Sequence, residues 1–213
     1  MNEKESIACR AAALLEPGWI VNLGIGIPTL VTQFVDPEAI CVQTENGLLG
    51  VGPPPEKGQV DPNLVDAGKR PVTERPGASF FDSATSFAMI RGGHVDAVVL
   101  GALQVDERGL VANWAIPGEP VLGVGGAMDL MSGARCVIVV MTHTAKNGSA
   151  KVVRECSLPL TSLRPADWVV TELCTFRVET EGLVLTALTP GVTEEQVRSR
   201  TEARFAVRLA GGA

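Results

Sequence analysis

Residues 19–28 read Trp19-Ile20-Val21-Asn22-Leu23-Gly24-Ile25-Gly26-Ile27-Pro28, an apolar run that gives way to glycine and then to proline. The run is short and nearly uninterrupted, which is the pattern of a strand buried on both faces rather than one. The glycines turn the chain, and Pro28 is suited to the first position of a helix, predicted through about Val35. A second strand follows at Ile40-Cys41-Val42-Gln43-Thr44. Outward from this unit the alternation continues. Residues 3–15 carry helical spacing and stop at Pro17-Gly18. Ser83–Arg91 is a further helix closed by Gly92-Gly93, and strands are predicted at Val95–Leu100, Arg135–Met141 and Trp168–Thr171. Between them, residues 46–77 are rich in proline and glycine and predict a long ordered excursion over the surface. Toward the end, Phe176-Arg177-Val178 and Leu183-Val184-Leu185 flank Glu181-Gly182 as a hairpin, and Thr193-Glu194-Glu195-Gln196 starts a capped helix. The expectation is an α/β fold: one domain over residues 1–213, an open mostly parallel sheet with helices on both faces and an antiparallel edge.

Composition narrows the chemistry. With 213 residues, 46% of them hydrophobic, there is material for one sizeable core. The net charge of -6 offers no basic excess for a phosphate backbone, so nucleic acid is not an expected partner. No apolar stretch reaches the ~18 residues of a membrane span, so no membrane partner is expected either. Cys9, Cys41, Cys136, Cys156 and Cys174 are scattered and odd in number, which points to neither disulfides nor zinc and fits a cytoplasmic location. The charged start, Met1-Asn2-Glu3-Lys4-Glu5, lacks the apolar centre of a signal peptide. Two histidines and no tyrosine rule out sites built on several imidazoles or phenols, leaving carboxylates as the reactive groups to examine.

One carboxylate stands out. Glu45 follows a predicted buried strand and precedes Asn46-Gly47, at the carboxyl edge of the sheet where open α/β folds bind ligands. Asn-Gly is also a turn dipeptide, and a glutamate before it is commonly a solvated turn residue. Gly24-x-Gly26, between strand and helix, offers N–H groups to an anion. Combined with an acid at position 45 it imitates a dinucleotide site, but that fold wants glycine or alanine where Thr29 stands. Gly125 and Gly126 lead into a short helical pattern, and such a turn either makes an oxyanion nest or is simply a turn. His94 reads as scaffold at a helix–strand junction, and His143, Lys146 and Lys151 read as members of a solvated polar loop.

Several longer segments together resemble the B subunit of the family I 3-oxoacid CoA-transferases. They are Asn22-Leu23-Gly24-Ile25-Gly26-Ile27-Pro28-Thr29, Glu45-Asn46-Gly47-Leu48-Leu49-Gly50, Ala67-Gly68-Lys69, Pro76–Phe81, Ser86–Asp96, Ala112–Gly118 and Gly125–Leu130, in the family's order over roughly residues 5–205. The resemblance implies the CoA-transferase fold, with Glu45 as the nucleophile of a ping-pong transfer through a glutamyl-CoA thioester. It implies the backbone N–H of Gly126 as oxyanion donor, with Gly24, Gly26, Asn46, Gly47 and Gly125 as contacts to the CoA thioester. It implies no metal or redox cofactor, CoA entering only as substrate, and transfer from an acyl-CoA such as succinyl-CoA to acetoacetate or 3-oxoadipate. It further implies a partner, the A subunit, in an A2B2 heterotetramer. Two positions depart from the family: Thr44 stands where serine is common, and Pro54 where an aromatic residue often is, which bears on acyl selectivity. An NAD(P)-binding oxidoreductase subunit, or a non-catalytic partner subunit of the same fold, is the competing expectation.

Overall fold

A computed structural model describes residues 1–120 and 123–209. Helix α1 (Glu3–Ala12) opens on a capping box in which Asn2 and Glu5 bond each other's backbone, and its last turn tightens at Ala11 and Ala12 before Pro17. The chain then forms β1 (Ile20–Leu23), β2 (Cys41–Thr44), β3 (Leu48–Val51), β4 (Glu74–Phe80), α2 (Ser83–Arg91), β5 (Ala97–Gly101), β6 (Gln104–Asp106) and β7 (Val111–Ala112). After these come α3 (Ala127–Gly133), β8 (Cys136–Val140), β9 (Val152–Val153), β10 (Trp168–Val170), β11 (Cys174–Glu179), β12 (Gly182–Leu188), α4 (Glu194–Arg198) and β13 (Phe205–Val207).

Ten strands form one sheet in the order β13-β12-β11-β10-β8-β5-β1-β2-β3-β4. The centre, from β10 through β8, β5 and β1 to β2, is parallel. Its apolar runs are explained by alternation between two cores. Val98, Val137 and Val139 face Ile90 of α2 and Leu130 and Met131 of α3, while Val99, Ile138 and Val140 face Ile7, Ala8 and Ala11 of α1. Helices cover both faces, as an α/β sheet requires.

Four features differ from the sequence-based expectation. Antiparallel pairing flanks the parallel centre on both sides, β2-β3-β4 on one and β10-β11-β12 on the other, rather than on a single edge. The segment after Gly26 is a 3-10 helix over Ile27–Gln33, where the hydroxyls of Thr29 and Thr32 donate to carbonyls three residues back and favour the tighter winding. The proline-rich excursion is shorter than residues 46–77, because β3 and the start of β4 lie within that range. A second sheet, β7-β6-β9, consists of strands of two or three residues, too short to leave a periodic signal. Among the described residues, no helix is long and apolar enough to cross a membrane.

His143 is also unlike its expectation: it is completely buried, whereas Lys146 in the same loop is exposed. The Thr201 hydroxyl spends its proton on the Val197 carbonyl, so His143 Nε2 must donate to Thr201 Oγ1, at 2.8 Å. Nδ1 is then the acceptor for the Thr171 hydroxyl, at 2.9 Å. Burial, with smaller contributions from Arg200 and Lys151, lowers the imidazole from 6.5 to about 4. The unfolded chain therefore takes up a proton before the folded one does. Stability from neutral His143 is complete above about pH 6.5 and is lost as pH falls toward about 4. The expected loss across that window is on the order of 3 kcal/mol, read by urea unfolding at stepped pH. A His143→Gln chain should show a shallower decline, and equal slopes for the two proteins would contradict the assignment.

Candidate active site

The register places Asn22 of β1 beside Gln43 of β2 on the face turned toward α2 and α3. Both polar side chains are fully buried, as is Ser86 of α2. Their NH2 groups find acceptors within the cluster, although Asn22 Oδ1 finds no donor among the described residues. Gln43 Nε2 donates to Ser86 Oγ at 2.8 Å, and Asn22 Nδ2 donates to Gln43 Oε1 at 2.7 Å. Two residues beyond Gln43, and so on the same face, Glu45 reaches back from the strand end. Its Oε2 accepts from Asn22 Nδ2 at 3.2 Å.

The carboxylate sets the direction of this chain of bonds. A carboxylate only accepts, so Asn22 must present its NH2 to Glu45. The same NH2 then requires Gln43 to present its oxygen, which turns the Gln43 NH2 toward Ser86. Thus the amide orientations follow from the network.

The turn that carries Glu45 is equally determined. Thr44 pairs with Leu48, leaving residues 45–47 as a three-residue hairpin turn. Gly47 has φ +116, and a Cβ there would lie 2.0 Å from the Phe81 carbonyl oxygen, so only glycine lets the strands close. Gly47 N–H donates to Thr44 O, its carbonyl accepts from Phe81 N–H, and Asn46 Nδ2 donates to Val65 O across the excursion. Glu45 is half-buried.

Opposite it lies the start of α3. A Cβ added at Gly126 would stand 3.4 Å from Glu45 Oε1 and 3.5 Å from the Phe87 ring, so the glycine backbone and the carboxylate face each other closely. Gly125 and Gly126 donate no N–H bond to an acceptor among the described residues. Gly126 O does begin the helix, accepting from Leu130 N–H at 2.9 Å.

The remaining glycines divide. Gly24 N–H is taken by Val99 O at 2.8 Å and Gly47 N–H by Thr44 O, so these two groups hold the fold, while Asn46 is exposed with its Nδ2 on Val65 O. Gly26 is exposed at φ +92, and no acceptor among the described residues takes its N–H. The 3-10 winding after it does not supply the α-helix N-terminus of a dinucleotide site. Thr44 is buried with its hydroxyl unpaired, and Asn22 Oδ1 is likewise buried without a partner among the described residues. Pro54 is exposed on the excursion. His94 is exposed, with its backbone N–H bonded to Met89 O. Among the described residues no group of three or more His, Cys, Asp or Glu side chains could hold a metal ion.

Sequence reasoning finds Glu45 and Gly126 but passes over Asn22, Gln43 and Ser86. The available signal is polarity at positions 22 and 43 inside apolar strands, a departure from the buried-strand pattern. If the three form one network, Gln43→Leu should destabilise the chain by about 1–3 kcal/mol. Adding Ser86→Ala should then cost less than Ser86→Ala alone, giving a coupling above about 0.5 kcal/mol in a urea-unfolding double-mutant cycle. Strict additivity would contradict the network.

The family described as Coenzyme A transferase matches residues 4–200. Over 206 residues, 97% of this chain and 100% of the relative, the sequence is 50% identical to a Helicobacter pylori protein named as the B subunit of a succinyl-CoA:3-ketoacid coenzyme A transferase. Over 209 residues, 97% of this chain and 95% of the relative, it is 51% identical to an Escherichia coli protein named as the beta subunit of an acetate CoA-transferase. Among solved structures, the apoenzyme of the acyl-CoA transferase YdiF from Escherichia coli O157:H7 has a TM-score of 0.78 at 22% identity, covering 99% of this chain and 43% of that chain, a likeness of fold. Matched over most of its length and half identical to full-length relatives, the chain belongs to the coenzyme A transferase family.

Proposed function

We propose that Glu45 is the covalent nucleophile of a CoA transfer from succinyl-CoA to a 3-oxo acid, acetoacetate or 3-oxoadipate. The observation that carries this reading is the position of its carboxylate, with one oxygen held by Asn22 Nδ2 and the other turned to the Gly126 backbone. Glu45 attacks the thioester carbonyl, the carbon–sulfur bond breaks, and a mixed anhydride forms with release of CoA thiolate. The thiolate attacks the glutamyl carbonyl and expels the donor acid as its carboxylate, leaving a glutamyl-CoA thioester. The acceptor acid reverses both steps and restores the Glu45 carboxylate.

No electrons and no net proton move, so the chemistry requires neither a metal nor a redox cofactor. It does require donors for two oxyanions. The Gly126 backbone lies beside Glu45, which supports its N–H as the donor to the acyl oxygen, and Asn22 Nδ2 already holds the glutamyl oxygen. Gly26 and Gly125, whose N–H groups take no acceptor among the described residues, are the contacts to CoA best supported by their surroundings.

The relatives are named as B or beta subunits, which supports a partner, the A subunit; the A2B2 assembly rests on the motif resemblance alone. Ile25 and Phe80 are 71% and 63% exposed, as expected of a surface covered by another chain or by substrate. Names for succinyl-CoA:3-ketoacid and for acetate transferases occur at nearly equal identity, so the succinyl and 3-oxo acid assignment rests on the motif resemblance. In the assembled enzyme, Glu45→Gln should lower turnover by at least about 10⁴-fold, measured as acetoacetyl-CoA formed from succinyl-CoA and acetoacetate. Full turnover by that variant would refute Glu45 as nucleophile.

A further inference from the structure

We propose that Gln43, backed by Ser86, is a positioning residue for the transfer: it holds the Asn22 amide with its NH2 on Glu45 while Glu45 passes from carboxylate to thioester and back. The proposal rests on Glu45 being the nucleophile.

The Asn22 amide has few restraints. Its Oδ1 meets no donor among the described residues, so its orientation depends on two bonds from Nδ2, 2.7 Å to Gln43 Oε1 and 3.2 Å to Glu45 Oε2. The shorter of the two is to Gln43. A half-turn of the amide exchanges nitrogen for oxygen, sets oxygen against oxygen at both contacts and takes the donor away from Glu45.

Glu45 fixes that amide strongly only while it is charged. Once CoA is attached, the departing acid has carried off one carboxylate oxygen, sulfur stands in its place, and the oxygen that remains is the carbonyl of a neutral thioester. A hydrogen bond to an ionised acceptor is roughly twice as strong as one between neutral groups, so the hold of Glu45 on Asn22 drops at this stage. The donor is needed most at the next step, when the acceptor acid attacks and the same oxygen gains charge. Gln43 is uncharged throughout and holds Asn22 equally in every state.

Gln43 is fixed in its turn. Its Nε2 donates to Ser86 Oγ at 2.8 Å, and Asn22, Gln43 and Ser86 are all fully buried. Ser86 stands in the first turn of α2, where Asp82 Oδ1 accepts from Thr85 N–H at 2.7 Å and Asp82 O accepts from Ser86 N–H at 3.0 Å. Phe81, just before that cap, donates its N–H to Gly47 O in the turn that carries Glu45. The connections therefore close into a ring, from Glu45 through Asn22, Gln43, Ser86 and the start of α2 back to Gly47. Neither Gln43 nor Ser86 is hydrogen-bonded to Glu45, so both act on it through Asn22, as support for a reacting group does when its own rotamers are locked.

The test uses the full chain assembled with its partner subunit. Attachment of CoA to the enzyme from acetoacetyl-CoA is followed in a single turnover, giving a saturated rate and a half-saturating concentration. Gln43→Met, which keeps the length of the side chain without its amide, should lower the saturated rate at least about 10-fold, and Ser86→Ala at least about 3-fold. Half-saturation should stay within about 3-fold of wild type in both, because the lost interaction belongs to the reacting state. Asn22→Ala should slow the step about 100-fold, and adding Gln43→Met to it should cost less than a further ~2-fold, since the group through which Gln43 acts is gone. Losses that multiply in the double variant would overturn the proposal, as would an unchanged saturated rate in Gln43→Met and Ser86→Ala. Ser86→Ala combined with Asn22→Ala gives the same reading should Gln43→Met fail to assemble. The mass of the CoA-bearing peptide reports separately on the nucleophile: CoA on residue 45 of the wild-type enzyme is expected, and CoA on another residue would refute the Glu45 reading itself, whatever the coupling between the variants.

Discussion

A carboxylate at the end of a buried strand has to be held by donors or turned out to water, and here it is held. The bond from Asn22 Nδ2 to Glu45 Oε2 connects the strand end to a fully buried row of amide and hydroxyl groups reaching α2. An unpaired member of such a row would cost about 1–3 kcal/mol, so each side chain constrains the orientation of the next. The parallel register of β1 and β2 makes this possible by placing Asn22 and Gln43 side by side. The three-residue turn enforced at Gly47 then returns the chain without letting Glu45 swing away.

The same sheet brings the second half of the site into place. α2 and α3 pack together over one face, and at Gly133 a Cβ would come 2.2 Å from the Ile90 carbonyl oxygen, so the two helices approach through bare backbone. That close approach sets the start of α3, and with it Gly126, against the carboxylate. Function and folding therefore draw on the same contacts.

Much of this is legible in the sequence, unevenly. The Trp19–Leu23 and Ile40–Thr44 runs predict their strands because burial on both faces leaves an apolar signature, and Thr193 marks a helix start by capping chemistry. Glu45 is readable from its position before Asn46-Gly47, and the role proposed for it comes from the longer motifs. The short strands of the second sheet are not, since two or three residues cannot show a period of two. His143 reads as a loop residue because its burial comes from Thr171 and Thr201, both distant in sequence. The amide row is hidden for a like reason: Asn22, Gln43 and Ser86 meet only once the sheet and α2 are assembled.

The chemistry stands or falls on this carboxylate becoming the carrier of CoA. That is tested by incubating the assembled enzyme with an acyl-CoA, treating it with borohydride, and determining the mass of the peptide containing residue 45. Reduction of the Glu45 side chain to an alcohol, only when acyl-CoA has been present, is the expected result. An unmodified Glu45 in an enzyme that turns over, or a modification at another residue, would contradict it.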